Sequence, residues 1–199
     1  MIYEMNYMYI KDAFFSNTGI SQHRIVEELG NNVPVYTLYG QNELYEDLYG
    51  VEGKDSDRKQ IRSSRTFDLL RNGDLIFSTI SGEASIVSKE HEGYLFSQNY
   101  IRMELMNNSI DKRYIAFLIN ENTYIKKQFA QQLQGSKVIR YTLRLLKEIE
   151  LPKLPPLIVQ QIIGDIYFKE LKLRALKQRV AERQCELNLT RLMEVSNNG

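Results

Sequence analysis

Alternating apolar and polar positions predict short β-strands in the first half of the chain. The stretch VPVYTLYG (Val33–Gly40) alternates β-branched and aromatic residues up to a glycine, as strands commonly do. NGDLIFSTISG holds a short apolar strand between turn signals at Asn72-Gly73 and Ser81-Gly82. EASIVSKEHEGYLFSQNYIRMEL is predicted to continue as two strands joined by a polar turn around His91.

The hydrophobic period becomes helical after Asn108. In SIDKRYIAFLINENTYIKKQFAQQLQG, four apolar residues share one helical face: Tyr114, Ile115, Leu118 and Ile119. Ser109 is expected to cap the first turn, and Gly135 follows the last turn as a helix terminator. This segment therefore predicts a helical pair.

The C-terminal segment predicts one long amphipathic helix, from about Leu157 to Glu194. Its apolar stripe repeats every seven residues at Val159, Ile166, Leu173, Val180 and Leu187, with Ile162 and Leu176 at intermediate positions. Lys169 and Arg183 interrupt those intermediate positions. At 1.5 Å per residue the helix spans roughly 55 Å. Since a small core does not cover that length, the stripe is expected to pack against a partner helix.

Prolines precede this helix in IELPKLPPLIVQQIIG. Pro152 is expected to end an extended segment, and Pro155 and Pro156 to flank the first helical turn. Such a joint has little freedom, so the helix leaves the domain at a fixed angle. We predict an α+β fold with two parts. Residues 1–152 form a mixed, mainly antiparallel β domain with a helical pair, and residues 153–199 form a coiled-coil-type helix.

Charge is unevenly distributed, although the net charge is only +1. Residues 1–125 carry 12 basic against 18 acidic side chains, a net of −6, whereas residues 126–199 carry 14 against 7, a net of +7. A basic half fits a polyanionic partner and equally fits solvated helix faces. The single cysteine, Cys185, excludes an internal disulfide and fits a reducing cytoplasm. No targeting signal is evident, and no apolar run approaches the length of a membrane span.

Catalytic and metal-binding patterns are weak. Asp47, Glu52 and Lys54 in DLYGVEGK loosely match a magnesium-dependent nuclease, but chance explains the match in so charged a chain. Ser136 and Lys137 lack the spacing of a phosphate-binding loop. His23 and His91 have no Cys or His at ligand spacing, so we interpret both as surface or turn residues. We predict no catalytic residue, metal ion or cofactor.

Binding chemistry is concentrated in GKDSDRKQIRSSR (Gly53–Arg65). This segment has no apolar period and carries donors that can reach phosphates and base edges, namely Lys54, Arg58, Lys59, Gln60, Arg62, Ser63 and Arg65. Asp55 and Asp57 interrupt the basic run, which leaves a solvated loop tip as the alternative. Arg140 and Arg144, after the Gly-Ser pair of LQGSKVIRYTL, are further candidates for phosphate contacts.

The order of these features resembles the specificity subunit of type I restriction–modification enzymes. The resemblance is carried by LQGSKVIRYTL, by LKEIELPKLPPLIVQQIIGDI leading into the long helix, and by GDLIFSTISG and LFSQNYIRMEL upstream. It implies a non-enzymatic target-recognition domain that binds double-stranded DNA. It also implies that a separate adenine-N6 methyltransferase subunit, and possibly a restriction subunit, is directed to the target. The resemblance favours DNA contact by the loop of Gly53–Arg65.

The chain departs from that family in holding one recognition domain and one long helix, where typical members hold two of each. A half-length chain would restore the architecture as a homodimer, or by pairing with another half-specificity subunit, and would then recognise a bipartite site. Two alternatives remain open from the sequence. One is a regulatory or defective half-subunit that binds the methyltransferase without productive DNA recognition, and the other is the small metal-dependent nuclease.

Overall fold

The computed structural model describes residues 8–21, 24–28, 30, 33–53, 58–133 and 140–197. The strands within these residues are β1 (Met8–Tyr9), β2 (Phe14–Thr18), β3 (Val35–Tyr39), β4 (Gln60–Arg62), β5 (Leu75–Ser78), β6 (Ala84–Ile86), β7 (Leu95–Phe96), β8 (Tyr100–Leu105) and β9 (Glu150–Leu151). The helices are α1 (Ile10–Ala13), α2 (Gln41–Tyr49), α3 (Lys112–Glu121), α4 (Thr123–Leu133), α5 (Leu143–Lys147) and α6 (Leu157–Asn197). The predicted α+β class is confirmed.

The central layer is an antiparallel sheet of four strands in the order β2-β8-β5-β6. Its strand β5 is buried on both faces, because Leu75 and Phe77 pack towards α3 and α4 while Ile76 packs into a second apolar cluster on the other face. That double burial explains why the stretch is continuously apolar rather than alternating. Gly73 and Gly82 take φ angles of 84° and 74° in the turns predicted on either side of β5.

A second sheet has the order β4-β3-β7 and gives the fold its mixed character. Strand β3 pairs antiparallel with β4 and parallel with β7. Its small core consists of Leu38, Ile61 and Leu95, one residue from each strand. Two predictions need correction here. The segment after Ala84 forms three strands rather than two, and β4 lies within the stretch predicted to be an irregular loop.

The helical pair is confirmed, and its predicted face is buried against the central sheet. The predicted cap is wrong, because the side chain of Asp111 rather than Ser109 accepts the hydrogen bond from the Tyr114 backbone N–H, at 2.8 Å. A carboxylate at this position satisfies a free N–H of the first turn. Asn122 separates α3 from α4, and its side-chain oxygen accepts hydrogen bonds from the backbone N–H groups of Tyr124 and Ile125 in the first turn of α4. Gly135 lies outside the described residues.

The proline joint leads into α6 as predicted. Strand β9 pairs with β1, Pro152 follows it directly, and α6 begins immediately after Pro156. The side chain of Gln160 is 2% exposed and fixes the first turn. Its amide donates to the backbone oxygens of Pro155 (2.8 Å) and Ser109 (3.3 Å), and its oxygen accepts from the Asp111 N–H (3.0 Å). The joint is therefore fastened by hydrogen bonds as well as by proline.

Only the first half of α6 lies against the domain. Its inner face buries Gln160, Gly164, Leu171 and Ala175, and packs against α3 and α2. Close approach to α3 depends on Gly164, where a Cβ atom would lie 2.7 Å from the Arg113 Cβ. From residue 183 to residue 197 every side chain is exposed, so this end of the helix projects from the domain.

Candidate nucleic-acid interface

The basic stretch predicted to bind DNA lies along the edge of the second sheet. We call residues 59–65 the basic edge segment. Pairing of β4 with β3 places Ile61 inwards, so Gln60 and Arg62 share the outward face of the strand. The side chains of Lys59, Gln60, Arg62 and Arg65 are all exposed. The segment therefore presents three cations and one neutral amide, of which Gln60 and Arg62 lie on the regular backbone of β4.

Two predicted contact residues face elsewhere. Ser63 is only 2% exposed, so the interpretation of its hydroxyl as a ligand for DNA is not supported by its position. The Arg58 guanidinium is directed towards α2, where Nη1 donates to Glu43 Oε1 (3.0 Å) and Nη2 donates to Glu46 Oε2 (2.7 Å). Arg58 therefore holds the start of the basic edge segment against α2. Lys54 lies outside the described residues.

Arg58 belongs to a group of buried or half-buried charges that we call the ionic cluster: Glu43, Glu46, Asp47, Arg58 and His91. His91 Nδ1 lies 2.7 Å from Asp47 Oδ1, and its Nε2 lies 2.9 Å from Glu46 Oε2. Asp47 also accepts hydrogen bonds from the Tyr39 hydroxyl (2.7 Å) and the Ser88 N–H (3.0 Å). His91 lies at the predicted turn, but it is 1% exposed, so its interpretation as a surface residue is wrong; His23 lies outside the described residues.

These contacts shift the pKa values of the cluster. Burial alone would lower the pKa of His91, but its hydrogen bond to Asp47 and the charge of that carboxylate outweigh burial and raise it. For Glu46, burial opposes ionisation, yet the hydrogen bonds from Arg58 and the Gly53 N–H lower its pKa. Both shifts favour the charged forms, as expected where opposite charges are in hydrogen-bond contact.

Sequence patterns did not identify Arg24 as a neighbour of the basic edge segment. Arg65 Nη1 donates to the backbone oxygen of Arg24 at 3.5 Å, and its guanidinium lies over the Phe67 ring at 5.9 Å. Both arginines are exposed. Beside them, the hydroxyl of Ser64 donates to Glu28 at 2.6 Å. Arg24 thus extends the basic surface beyond β4, although only tertiary contacts bring it there.

Arg140 and Arg144 lie on other elements. Arg140 is exposed, and its Nη2 donates to Asn99 Oδ1 at 3.4 Å, in the turn between β7 and β8. That turn follows β7, which runs parallel to β3, so Arg140 lies towards the end of the second sheet where Lys59 is found. Arg144 is exposed on α5, which packs against α1 and β2. Ser136 and Lys137 lie outside the described residues.

The nuclease pattern does not assemble into a metal site in the described part of the chain. Asp47 is buried and committed to Tyr39, Ser88 and His91, Glu52 is exposed, and Lys54 is outside the described residues. No group of three or more His, Cys, Asp or Glu side chains in that part is arranged to hold a metal ion. Among the described helices, none is both long and apolar enough to cross a membrane.

The apolar stripe of α6 forms a second candidate interface. Its side chains are substantially exposed: Val159 38%, Ile162 52%, Ile166 55%, Leu173 43%, Leu176 43%, Val180 69% and Leu187 54%. At about 100° per residue, the stripe lies on the side of the helix opposite to Gln160, Gly164 and Leu171. Docking of α6 on its own domain therefore leaves the stripe uncovered.

Comparison with known proteins relates the chain to one family. A family model described as the type I restriction modification DNA specificity domain matches residues 5–192. A crystal structure of the HsdS subunit from Thermoanaerobacter tengcongensis is similar, with a TM-score of 0.58 at 15% identity over 94% of this chain and 42% of that one. A structure described in terms of complex assembly and conformational transition of the type I R-M system gives a TM-score of 0.61 at 17% identity, over 92% and 46%. No curated protein matches. The chain spans less than half the length of these solved chains.

Proposed function

The chain belongs to the type I restriction modification DNA specificity domain family, and from this membership we propose that it acts in a specificity subunit and recognises DNA through its basic edge segment. The domain of this family supplies DNA specificity rather than catalysis. The observation that carries the proposal is the arrangement of Lys59, Gln60 and Arg62. Gln60 and Arg62 share the outward face of the edge strand β4, and the exposed Lys59 directly precedes that strand.

The chemistry of these side chains suits a duplex. Lysine and arginine neutralise phosphates and so provide affinity, whereas arginine and glutamine also pair with the edges of guanine and adenine in the major groove. The strand β4 holds Gln60 and Arg62 on one face, about 6.8 Å apart. Arg65 and the neighbouring Arg24 extend the positive surface along the backbone of the DNA. Ser63 and Arg58 support this segment from behind rather than contacting DNA.

The partners follow from the same family. A separate methyltransferase subunit performs adenine-N6 methylation at the site that this chain recognises, and a restriction subunit joins the complex where one is present. The uncovered stripe of α6 pairs with the same stripe of a second copy, or with another half-specificity subunit. Two copies related by a twofold axis read inverted half-sites, so the target of a homodimer is bipartite and symmetric.

The test neutralises the basic edge segment. Lys59→Gln, Arg62→Gln and Arg65→Gln are combined, and the variant is assembled with its methyltransferase. We expect weaker binding to the duplex that the wild-type complex methylates. The slope of log K against log salt concentration should become shallower by about 0.9 for each phosphate that is no longer neutralised. The matched control, with the same change in net charge, carries Lys89→Gln, Lys127→Gln and Lys153→Gln at exposed positions outside the basic edge segment.

The outcomes separate the candidate functions. Binding and salt slope equal to those of wild type in the triple variant would refute DNA contact by this segment. If the wild-type chain retains the methyltransferase but adds no sequence preference to it, the chain is a regulatory half-subunit instead. Methylome sequencing of a host that carries both subunits gives the target and its symmetry in the same experiment.

A further inference from the structure

The ionic cluster is joined to the start of the basic edge segment by Arg58, and its other members have no part in the proposed function. Its geometry restricts the protonation state of His91. Nδ1 is 2.7 Å from Asp47, Nε2 is 2.9 Å from Glu46, and Nε2 is also 3.0 Å from Arg58 Nη1. Arg58 precedes Lys59, whose backbone oxygen accepts the Leu38 N–H at 2.8 Å and so begins the pairing of β3 with the basic edge segment.

A neutral imidazole does not satisfy both carboxylates. One ring nitrogen of the neutral form carries a lone pair. If that nitrogen is Nδ1, its lone pair faces Asp47, and if it is Nε2, its lone pair faces Glu46. Arg58 Nη1 can donate to the lone pair in the second case, but the repulsion from Glu46 remains. Only the imidazolium donates to both carboxylates, while Arg58 Nη1 donates to Glu43.

We propose that His91 is a positioning residue for DNA recognition: as an imidazolium it bridges Glu46 and Asp47 of α2, and Glu46 in turn holds Arg58 at the start of the basic edge segment. The inference rests on the proposed function, since the position of this segment matters for binding only if the segment contacts DNA. It predicts that the segment is held firmly when His91 is protonated and loosens when His91 loses its proton.

The other charged and titratable groups around His91 do not compensate the carboxylates when His91 loses its proton. The groups that face the ring or line the same cavity are Tyr39 of β3, Glu46 and Asp47 of α2, Glu52, Arg58, Glu90 beside the ring, Tyr94 and Lys172 of α6. Within the ionic cluster itself, three carboxylates oppose one guanidinium when His91 is neutral. Deprotonation therefore leaves the cluster with one more uncompensated negative charge in a region of low dielectric constant.

The direction of the pH dependence follows from this arrangement. The folded-state pKa of His91 is raised above its unfolded value, which is about 6.5. Its contribution to stability is therefore fully present below about pH 6.5 and is lost as the pH rises through the folded-state pKa. Glu46, whose pKa is lowered, contributes stability above its unfolded pKa and loses it as the pH falls through the folded one.

The experiment uses the two histidines of the chain, His23 and His91. Wild type, His91→Gln and the control His23→Gln are compared with the methyltransferase subunit bound. NMR titration of the imidazole signals gives each pKa directly, amide hydrogen exchange reports on residues 58–62, and duplex affinity is measured between pH 6 and pH 9. We expect wild type and His23→Gln to lose affinity as His91 deprotonates. His91→Gln should be about tenfold weaker at pH 6.5, the size of one missing charge-assisted hydrogen bond, and insensitive to pH.

The possible results test the role of His91 and the proposed DNA contact separately. A His91 pKa at or below that of a free histidine overturns the inference even if His91→Gln does not fold, because this measurement needs only wild type and His23→Gln, whose remaining imidazole signal is that of His91. Unchanged exchange at residues 58–62 in a folded His91→Gln also overturns it. If exchange rises as expected but neutralising Lys59, Arg62 and Arg65 leaves affinity unchanged, the proposed DNA contact fails. The role of His91 in holding the strand then stands.

Discussion

Replacing Gly164 by alanine tests how closely α6 is seated on its domain. At an exposed helical position, alanine in place of glycine stabilises by about 1 kcal/mol, because alanine has the higher helix propensity. At Gly164, the added Cβ would lie 2.7 Å from the Arg113 Cβ and 2.9 Å from the Tyr114 backbone nitrogen. Backbone atoms do not move aside as a side chain does. We therefore expect Gly164→Ala to lower the free energy of unfolding rather than raise it, with a net destabilisation of about 1–2 kcal/mol from overpacking.

The same methyl group should tilt the projecting end of the helix. Restoring ordinary contact distances needs a displacement of about 1 Å at Gly164. If Leu171, about 10 Å further along the helix, acts as the pivot, the tilt is about 5°. Cys185, about 21 Å beyond the pivot, would then move by about 2 Å, and the end of the helix by nearly 4 Å. That is comparable to the rise of one base pair.

Two assays measure these effects. Urea denaturation gives the free energy of unfolding, with Gln161→Gly and Gln161→Ala as the matched pair that measures helix propensity at an exposed neighbouring position. A spin label on Cys185 and another on a cysteine introduced at the exposed Ile80 report the tilt as a change in distance. If Gly164→Ala stabilised the protein as much as the Gln161 pair indicates, the close contact between α3 and α6 would be refuted.

Three further predictions concern the stripe and the core. Leu173→Glu with Val180→Glu should abolish self-association in sedimentation at tens of micromolar, whereas Leu189→Glu, off the stripe, should not. If the complex with the methyltransferase contains only one copy of the wild-type chain, the homodimer is contradicted. Duplicating residues 180–186 keeps the stripe in phase, adds about 10 Å and should lengthen the gap between half-sites by about three base pairs in the methylome, whereas an unchanged gap excludes the arm as a ruler. Asn120→Leu removes two 2.8 Å hydrogen bonds to the backbone of β6 and should cost about 1–3 kcal/mol for each group left unpaired; a destabilisation under about 1 kcal/mol in urea contradicts that role.

The elements with a strong local pattern were predictable from the sequence. Strands β3 and β5, the helical pair and α6 each have a clear hydrophobic period or turn residues at their ends. Strand β4 does not, since Ile61 is the one apolar residue in a highly charged stretch. Pairing with β3 and the burial of that single side chain determine its structure, and both are tertiary effects.

The ionic cluster was unpredictable for a related reason. His91 lies 44 residues from Asp47, and a histidine in a polar stretch ordinarily indicates a surface turn. Its burial depends on partners that only the fold brings near. The sequence pattern likewise does not show which face of α6 contacts the domain. Gln160, Gly164, Leu171 and Ala175 together are not an apolar stripe, and their common feature is contact with the domain.

The two faces of α6 have separate roles, and this bears on how a pair of chains would be built. The inner face fixes the angle between the helix and its own domain. The apolar stripe, from Val159 to Leu187, runs along both the docked and the projecting half on the opposite side. A partner helix can therefore lie along the whole stripe without displacing α3. If two copies pair antiparallel over this length, the twofold axis passes near Leu173, the midpoint of the stripe, and Val159 of each copy lies opposite Leu187 of the other. In such a pair, one continuous helix makes both the contact with α3 and the contact with the partner helix. The angle set at Gly164 would therefore determine the spacing of the two recognition domains.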